Sequence, residues 1–166
     1  MKYPKFLSML VFVLVVVLLH PFPAMAQAQR TAFTGTSNFD ETIHVGEWTF
    51  LPSCNVQARG VVERYNDVAT DSRATGEEMI VSNGNFRPAP SSEIGLAGHL
   101  WGTFHIVNEG GTWDGTFTSE ISADGEYFYR GVAHGSGGYE GMIGHWEAYR
   151  NGHSGPFALS GWILEP

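Results

Sequence analysis

The sequence predicts an all-β protein: a single antiparallel, roughly eight-stranded closed barrel that follows an N-terminal signal peptide. Three observations support this fold class. The 166-residue chain is rich in aromatic residues and contains 21 glycines. Beyond the apolar N-terminal run, no segment has the period of an amphipathic helix. Short runs of alternating character recur at intervals of about 8–12 residues, separated by turn signals, as is typical of β-sandwiches and β-barrels.

The first 26 residues have the features of an export signal. Lys2 and Lys5 precede an apolar run from Phe6 to Leu19, and Ala24-Met25-Ala26 supplies a small-x-small cleavage pattern. The run is shorter than the roughly 20 residues that cross a bilayer. We therefore expect cleavage after residue 26, a barrel domain over 27–166 and a secreted or periplasmic location. The alternative is an uncleaved membrane anchor.

Charge and cysteine content restrict the partners of the exported domain. Without Lys2 and Lys5 the nine basic residues become seven, all arginine, against 17 acidic residues, which gives a net charge of −10. This charge argues against nucleic acid and against anionic membranes as partners. Cys54 is the only cysteine, so an internal disulfide is excluded. We expect its thiol to be buried.

Nine strands are predicted from the alternation and the turn signals. The segment 83–96, which contains Asn83-Gly84, Pro88 and Pro90, is predicted to be a loop that crosses between the two halves of the domain. The predicted strands cover residues 31–37, 43–50, 55–65, 75–82, 97–107, 112–121, 126–134, 142–150 and 157–164. Their spacing indicates a sandwich or a barrel, and the strand register below favours the barrel.

The second half of the sequence suggests a strand register. If Val107 faces Thr112 across the loop 108–111, Gly102 opposes Phe117 and Phe104 opposes Gly115 on one face. The other face then pairs His105 with Asp114. Large residues against glycines on one side, and matched charges on the other, are what a one-sided core requires.

The interior of the later strands follows from the next turn. Treating Asp124-Gly125 as a two-residue hairpin turn places Tyr127 and Tyr129 outside. The inward residues are then Phe128, Arg130, Val132 and His134, followed by Met142, Gly144, Trp146, Ala148, Phe157, Leu159, Gly161 and Ile163. In this register Trp146 faces Arg130. The predicted interior is apolar except for Arg130 and His134.

These two polar residues allow two interpretations. In the first, Arg130 only bridges one end of the barrel, paired with Glu63, Glu77 or Glu78. In the second, Arg130 and His134 form the polar end of an apolar pocket and are the candidate catalytic residues, Arg130 polarising an oxygen and His134 transferring a proton. The candidate ligand-binding wall consists of Phe104, Trp113, Phe117, Phe128, Met142, Trp146 and Phe157.

Other kinds of site find little support. His99 and His105 share a strand face but lie roughly 20 Å apart, and no zinc-type spacing is present. Glu77 and Glu78 are adjacent on a strand, so they point to opposite faces and cannot act together. The sequence contains no nucleophile elbow and no phosphate-binding glycine loop that opens a helix. We therefore predict no metal and no cofactor.

Aromatic residues on the predicted outer face suggest a contact with protein. They are Trp101, Tyr127, Tyr129 and Trp162. Exposed aromatics in this number are typical of an interface, which would make the protein a homo-oligomer, either a dimer or a trimer. The alternative is that the N-terminal segment or the segment 83–96 covers them.

Three C-terminal stretches carry a resemblance to known barrels. They are 111–117, 130–142 and 160–166, and the loop Gly135-Ser136-Gly137-Gly138-Tyr139-Glu140-Gly141 is their central feature. The stretches resemble uncharacterised bacterial secreted proteins similar to the allene oxide cyclase-like and dirigent-like barrels, in which a Gly-Thr-Gly-x-Tyr-x-Gly loop precedes a late strand. Here Ser replaces Thr and one glycine is added.

The resemblance implies an eight-stranded antiparallel barrel with a central cavity, often trimeric. Some members steer the cyclisation or coupling of reactive intermediates without a cofactor, whereas others have no known activity. The N-terminal half departs from the pattern, which leaves a lipocalin-like calycin as the alternative.

The leading hypothesis is an exported barrel that binds a small apolar or aromatic molecule in its interior, with a cyclase-like or stereo-directing activity as an extension. One alternative is a carrier that has the same cavity and performs no chemistry. Another is a structural or interaction module whose interior is filled with side chains. A cavity in the structure would separate the first two from the third.

Overall fold

The computed structural model describes residues 28–92, 94–152 and 154–166. Within these ranges the chain forms nine strands and one short 3-10 helix, η1 (Ser72–Ala74). The strands are β1 (Gln29–His44), β2 (Glu47–Phe50), β3 (Val56–Ala69), β4 (Gly76–Pro88), β5 (Leu96–Asn108), β6 (Gly111–Ile121), β7 (Tyr127–Gly137), β8 (Ile143–Arg150) and β9 (Phe157–Glu165). The predicted signal peptide lies outside the described residues.

The strands form one antiparallel sheet that closes on itself. Their order is β1-β9-β8-β7-β6-β5-β4-β3-β2, and β1 also pairs with β3. The second pairing closes an eight-stranded barrel from β1 and β3 to β9. The ninth strand, β2, pairs with the first residues of β3 and lies outside the closure. The predicted all-β closed barrel is confirmed.

One half of the barrel is filled by rings that pack over glycines. The ring of Phe104 occupies the space that a Cβ would need at Gly115 and Gly131, and the benzo ring of Trp146 does the same at Gly144. Gly115 lies opposite Phe104, whereas Gly144 lies two residues before Trp146 on the same face of β8. Because these glycines have no side chain, each ring reaches the centre of the barrel without a collision. The large-against-small pattern read from the sequence therefore produces a densely packed core in this half.

The end of the barrel next to this core is closed by η1. The indole N–H of Trp113 donates to the carbonyl oxygen of Arg73 at 2.8 Å, and the ring stacks on Tyr139 with centroids 5.2 Å apart. The Arg73 guanidinium bridges Asp71 at 2.7 Å and Glu165 at 2.6 Å. These contacts join four distant parts of the chain in one region. We refer to this region as the closed end.

The predicted register of β5 with β6 is confirmed at every predicted pair, including Gly102 with Phe117 and His105 with Asp114. The next hairpin differs from the prediction by one residue. Its loop contains three residues, 123–125, because Ser122 pairs with Glu126. Gly125 has a φ of 87°, and the Ser122 hydroxyl accepts from the backbone N–H of Glu126. A glycine in this conformation is typical of three-residue hairpin loops.

This one-residue shift inverts the faces of β7. Tyr127, Tyr129, Gly131 and Ala133 face inward. The predicted inward orientation of Phe128, Arg130, Val132 and His134 is wrong, as is the predicted outward orientation of Tyr127 and Tyr129. The inward faces of β8 and β9 are nevertheless confirmed, because Trp146 pairs with Gly131 and not with Arg130. The second one-residue difference cancels the first.

The predicted loop over 83–96 is too long. Strand β4 continues to Pro88, and Gly84 pairs with Leu100 inside the β4–β5 hairpin. The ring of Phe86 lies over Gly84 and occupies the space of a Cβ there. Asn83-Gly84 is therefore a packing feature of a strand and not a turn, and the loop is reduced to 89–95.

The expected burial of Cys54 is also wrong. Its side chain is exposed in the loop between β2 and β3, where its backbone has a φ of 60°. Asn55 accepts a backbone hydrogen bond from Leu51 across the same loop. A loop this short has no interior in which a thiol could be buried.

The outer surface carries two kinds of aromatic residue. Trp101 and Trp162 lie outside as predicted, with the guanidinium of Arg59 5.2 Å and that of Arg30 4.3 Å from their ring centroids. Exposed apolar residues also lie on β1, on β2 and in the turn between them: Phe39, Ile43, Val45, Trp48 and Phe50. A homo-oligomer stays a prediction, now without Tyr127 and Tyr129 as support.

Candidate functional site

The half of the barrel opposite the closed end contains a cavity of about 350 Å³. It lies on the side of the loops 89–95, 122–126 and 151–156, and β2 borders its entrance through Trp48. Its apolar lining is formed by Ala58, Val61, Ile80, Phe86, Ile94, Leu96, Leu100, Phe117, Ile121, Trp146, Ala148, Phe157 and Leu159. A cavity of this volume lies within the usual range of small-molecule sites.

Aromatic rings shape the wall of the cavity. Phe117 and Tyr129 stack with centroids 4.8 Å apart, and Tyr65 and Tyr127 each meet Phe157 edge to face at 6.1 and 5.9 Å. Rings that brace one another in this way resist collapse into the empty space. The geometry suits a flat apolar body placed between the rings.

Buried polar side chains lie at the inner side of this cavity. Glu78 lines it and is only 5 % exposed, and Asp67 is 2 % exposed. In the β3–β4 register Glu78 pairs with Tyr65 and Asp67 pairs with Gly76, so the two carboxyl groups are diagonal neighbours on one face. Across the β1–β3 pairing, Asp67 lies opposite Ser37. We refer to Glu78 and Asp67 as the inner carboxyl pair.

The protein provides few groups that would compensate the burial of the inner carboxyl pair. Neither carboxyl forms an ion pair among the described residues, and both oxygens of Asp67 are buried without a hydrogen bond of normal geometry. The hydroxyl of Tyr129 lies near Glu78 but is likewise without such a bond. Carboxyl groups in this position hold their protons, because burial penalises the charged form.

Both pKa values move in the direction that this burial requires. Burial raises the pKa of Asp67 to about 7, with a smaller opposing effect from the Ser37 hydroxyl. Burial and then the charge of Asp67 raise the pKa of Glu78 well above its usual value, and Tyr129 partly opposes this. Near neutral pH the pair therefore holds at least one proton, shared between two interacting groups.

Arg150 provides a positive charge at the outer part of the cavity. Its guanidinium lies 4.5 Å from the ring centroid of Tyr127 and 4.2 Å from that of Phe157, and its Nε donates to the carbonyl oxygen of Gly152 at 3.1 Å. These contacts hold Arg150 near the loop 151–156 and do not join it to the inner carboxyl pair.

The structure brings together three of the seven residues predicted to bind a ligand. Phe117, Trp146 and Phe157 line the cavity. Phe104 and Trp113 are buried in the core of the filled half, and Met142 packs against that core. Phe128 is wrongly assigned, because it is 47 % exposed on the outer face and packs on Tyr149.

The two predicted catalytic residues do not reach the cavity. The side chain of Arg130 is 80 % exposed and lies 3.7 Å from Glu147 on the outer face. His134 is exposed on the same face of β7, opposite Asp114. The expectation that Arg130 meets Glu63, Glu77 or Glu78 inside the barrel is wrong for the same reason: the strand is rotated by one residue.

Sequence reasoning missed Asp67, Tyr129 and Arg150 as residues of the interior. The prediction that Glu77 and Glu78 face opposite sides is confirmed. The same alternation could have identified one of the two as a residue of the interior. Glu77 is exposed on the outer face, so its neighbour has to face the interior. To place Asp67 in the interior, the register of β3 against β1 had to be known, and no local turn determines that register.

Among the described residues no group of three or more metal-ligating side chains is present. His153, one of the six histidines after the signal segment, lies outside them. Within the same ranges the structure contains no helix long and apolar enough to cross a bilayer. Comparisons of the chain with protein-family models, with curated proteins and with solved structures find no match in any of the three.

Proposed function

We propose that the chain is an exported barrel, secreted or periplasmic, that binds a small apolar or aromatic molecule in its interior. The observation that supports this proposal is the cavity of about 350 Å³ with an aromatic wall, next to a filled and closed half. An interior filled throughout by side chains, as a purely structural module would have, does not agree with this cavity. The family resemblance seen in the C-terminal strands is consistent with the proposal.

Binding, and not catalysis, is the function that the geometry supports best. Arg130 and His134 lie on the outer face, so neither can polarise or protonate a molecule inside the cavity. We therefore assign no chemical step to them, and the carrier is the form of the hypothesis that we propose.

Filling the cavity tests this function. Ala148 lines the cavity on β8, whereas Ala158 is exposed on the neighbouring strand β9. The probe is N-phenylnaphthylamine, a neutral aromatic dye that becomes fluorescent in apolar surroundings. We expect saturable binding to the wild type, a loss of about tenfold or more in affinity for Ala148→Phe, and unchanged binding for the matched control Ala158→Phe.

Native mass spectrometry of protein isolated from its natural source provides a second measurement, in which we expect a co-purified small molecule. Equal dye binding by wild type and Ala148→Phe would contradict the proposal. So would the absence of both dye binding and a co-purified molecule.

A further inference from the structure

The inner carboxyl pair restricts the kind of molecule that the cavity accepts. Glu78 is nine-tenths buried and lines the cavity, and it forms no ion pair among the described residues. The polar groups beside it are the carboxyl group of Asp67 and the hydroxyl of Tyr129, and neither carries a positive charge. A buried carboxylate without a cationic partner is costly, so natural proteins pair such groups. Here the group faces the cavity.

Among the described residues, neither arginine near the barrel interior supplies a cation to Glu78. Arg150 lines the outer part of the cavity, where two aromatic rings and a backbone carbonyl hold its guanidinium. Arg73 is engaged at the closed end by Asp71 and Glu165. Within the described ranges no side chain is left for this role, which leaves it to a bound molecule.

We propose that the ligand is an apolar or aromatic amine, whose protonated nitrogen binds Glu78 of the inner carboxyl pair while its apolar body lies between the rings. This inference rests on the proposed function and names the ligand class of the same cavity. An ammonium group offers several N–H donors to the pair and compensates the negative charge that burial disfavours. The faces of Tyr65, Phe117 and Tyr129 add a surface that attracts a cation.

An anionic or a neutral ligand fits the inner end less well. A carboxylate placed against Glu78 and Asp67 would meet like charges in a site of low dielectric constant. An alcohol could accept or donate one hydrogen bond but would not compensate the negative charge that the pair carries when it holds one proton. When the ammonium group binds, the pair releases its shared proton to solvent. The reason is that the cation stabilises the ionised form of the carboxyl groups.

Three probes of equal size test the ligand class: naphthylmethylamine, naphthylmethanol and naphthoate. We expect the amine to bind about tenfold or more tightly than the alcohol, which corresponds to about 1.4 kcal/mol or more, and naphthoate to bind more weakly than either. Calorimetry at pH 7 in two buffers of different ionisation enthalpy should show the release of protons when the amine binds. The alcohol should release none.

A pair of adjacent substitutions supplies the control. Glu78→Gln should bring the amine-to-alcohol ratio close to one, because the variant keeps the shape of the cavity and removes the charge. Glu77→Gln, one residue away on the outer face, should leave the ratio unchanged. Asp67→Asn is the second variant, which keeps the test informative if Glu78→Gln folds poorly, and it should lower the ratio in the same direction.

The outcomes separate the two proposals. If the alcohol binds as tightly as the amine, or if the Glu78→Gln ratio equals that of the wild type, the ligand class is wrong and the binding function stands. Tighter binding of naphthoate than of the amine has the same meaning. If none of the three probes and no N-phenylnaphthylamine binds, the proposed function itself is wrong.

Discussion

Asp67 lies directly opposite Ser37 where β1 closes the barrel against β3, and its carboxyl group is buried at this junction. The serine hydroxyl lowers the pKa of Asp67 less than burial raises it, so the pKa is about 7. A carboxyl group that titrates near neutrality links the stability of the barrel to pH at the point of its closure.

Asp67→Asn should remove a pH dependence of stability. The folded pKa lies above the unfolded value, so between about pH 4 and pH 7 the native state binds more protons, and its stability falls as the pH rises. A pKa that rises from 3.8 in the unfolded chain to about 7 in the folded protein corresponds to a loss of unfolding free energy of up to about 4 kcal/mol. We expect the unfolding free energy of the wild type to fall between pH 5 and pH 8, and that of Asp67→Asn to change much less.

Urea unfolding at the two pH values measures this difference, with Glu77→Gln as the control that keeps the wild-type slope. Because the pKa of Glu78 is raised well above its usual value, this neighbour contributes to the same slope and a residual pH dependence is expected in the variant. A variant slope equal to that of the wild type would show that Asp67 is not buried as described.

Asp71→Asn should have the opposite pH dependence. The hydrogen bond from Arg73 lowers the pKa of Asp71, so this carboxylate stabilises the fold above its unfolded pKa and loses the effect as the pH falls through the lowered value. We expect a cost of about 1–2 kcal/mol at pH 7 that disappears in strong acid. The exposed Asp114→Asn is the control, for which thermal or urea unfolding should show a change of about 0.5 kcal/mol or less.

Gly144→Ala should destabilise the filled half through Trp146. The new Cβ would overlap the benzo ring of a side chain that is almost fully buried, and overpacking of this kind costs about 1–3 kcal/mol. Trp146→Phe shortens the ring and should relieve the collision. A double-mutant cycle measured by urea unfolding is therefore expected to show a favourable coupling energy, whereas additive losses would mean that the two residues do not touch.

Thiol labelling should distinguish the two faces of β7. In a Cys54→Ser background, which removes the exposed native thiol, Arg130→Cys and Phe128→Cys should react rapidly with a maleimide. Tyr129→Cys should react much more slowly in the folded protein, because the side chain at this position faces the interior. Mass spectrometry after timed quenching measures the rates. Rapid labelling at 129 and protection at 130 would restore the register with a two-residue turn.

The fold and part of the register could be predicted because the side chains of neighbouring strands must fit together locally. Phe104 needs a glycine opposite, and only one register across the turn at 109–110 places Gly115 there. The turn at Asp124-Gly125 was ambiguous, since a two-residue and a three-residue hairpin loop can both place a glycine with positive φ at its second or third position. The hydroxyl of Ser122, which bonds to the far side of the loop, decides the longer form.

The candidate site could not be predicted to the same degree. Its polar residues come from β3, β4 and β7, and they meet only after β1 pairs with β3 across a long separation in sequence. Nothing local to Asp67 indicates that it faces an interior. An inward-facing glutamate at 77 or 78 could be predicted, because adjacent residues of a strand point to opposite faces. Which of the two faces the interior depended on how the barrel closes.

The filled half and the hollow half of the barrel use the same strands and meet at shared residues, Phe117, Trp146 and Leu159. Trp113, Phe104 and Arg73 secure the structure at the closed end, whereas Ala58, Phe86 and Ile121 near the entrance belong to a separate apolar cluster. Substitutions around the entrance can therefore change which molecule is taken up while the scaffold persists. A protein divided in this way is a good starting point for evolving new binding specificities, and for engineering them in the laboratory.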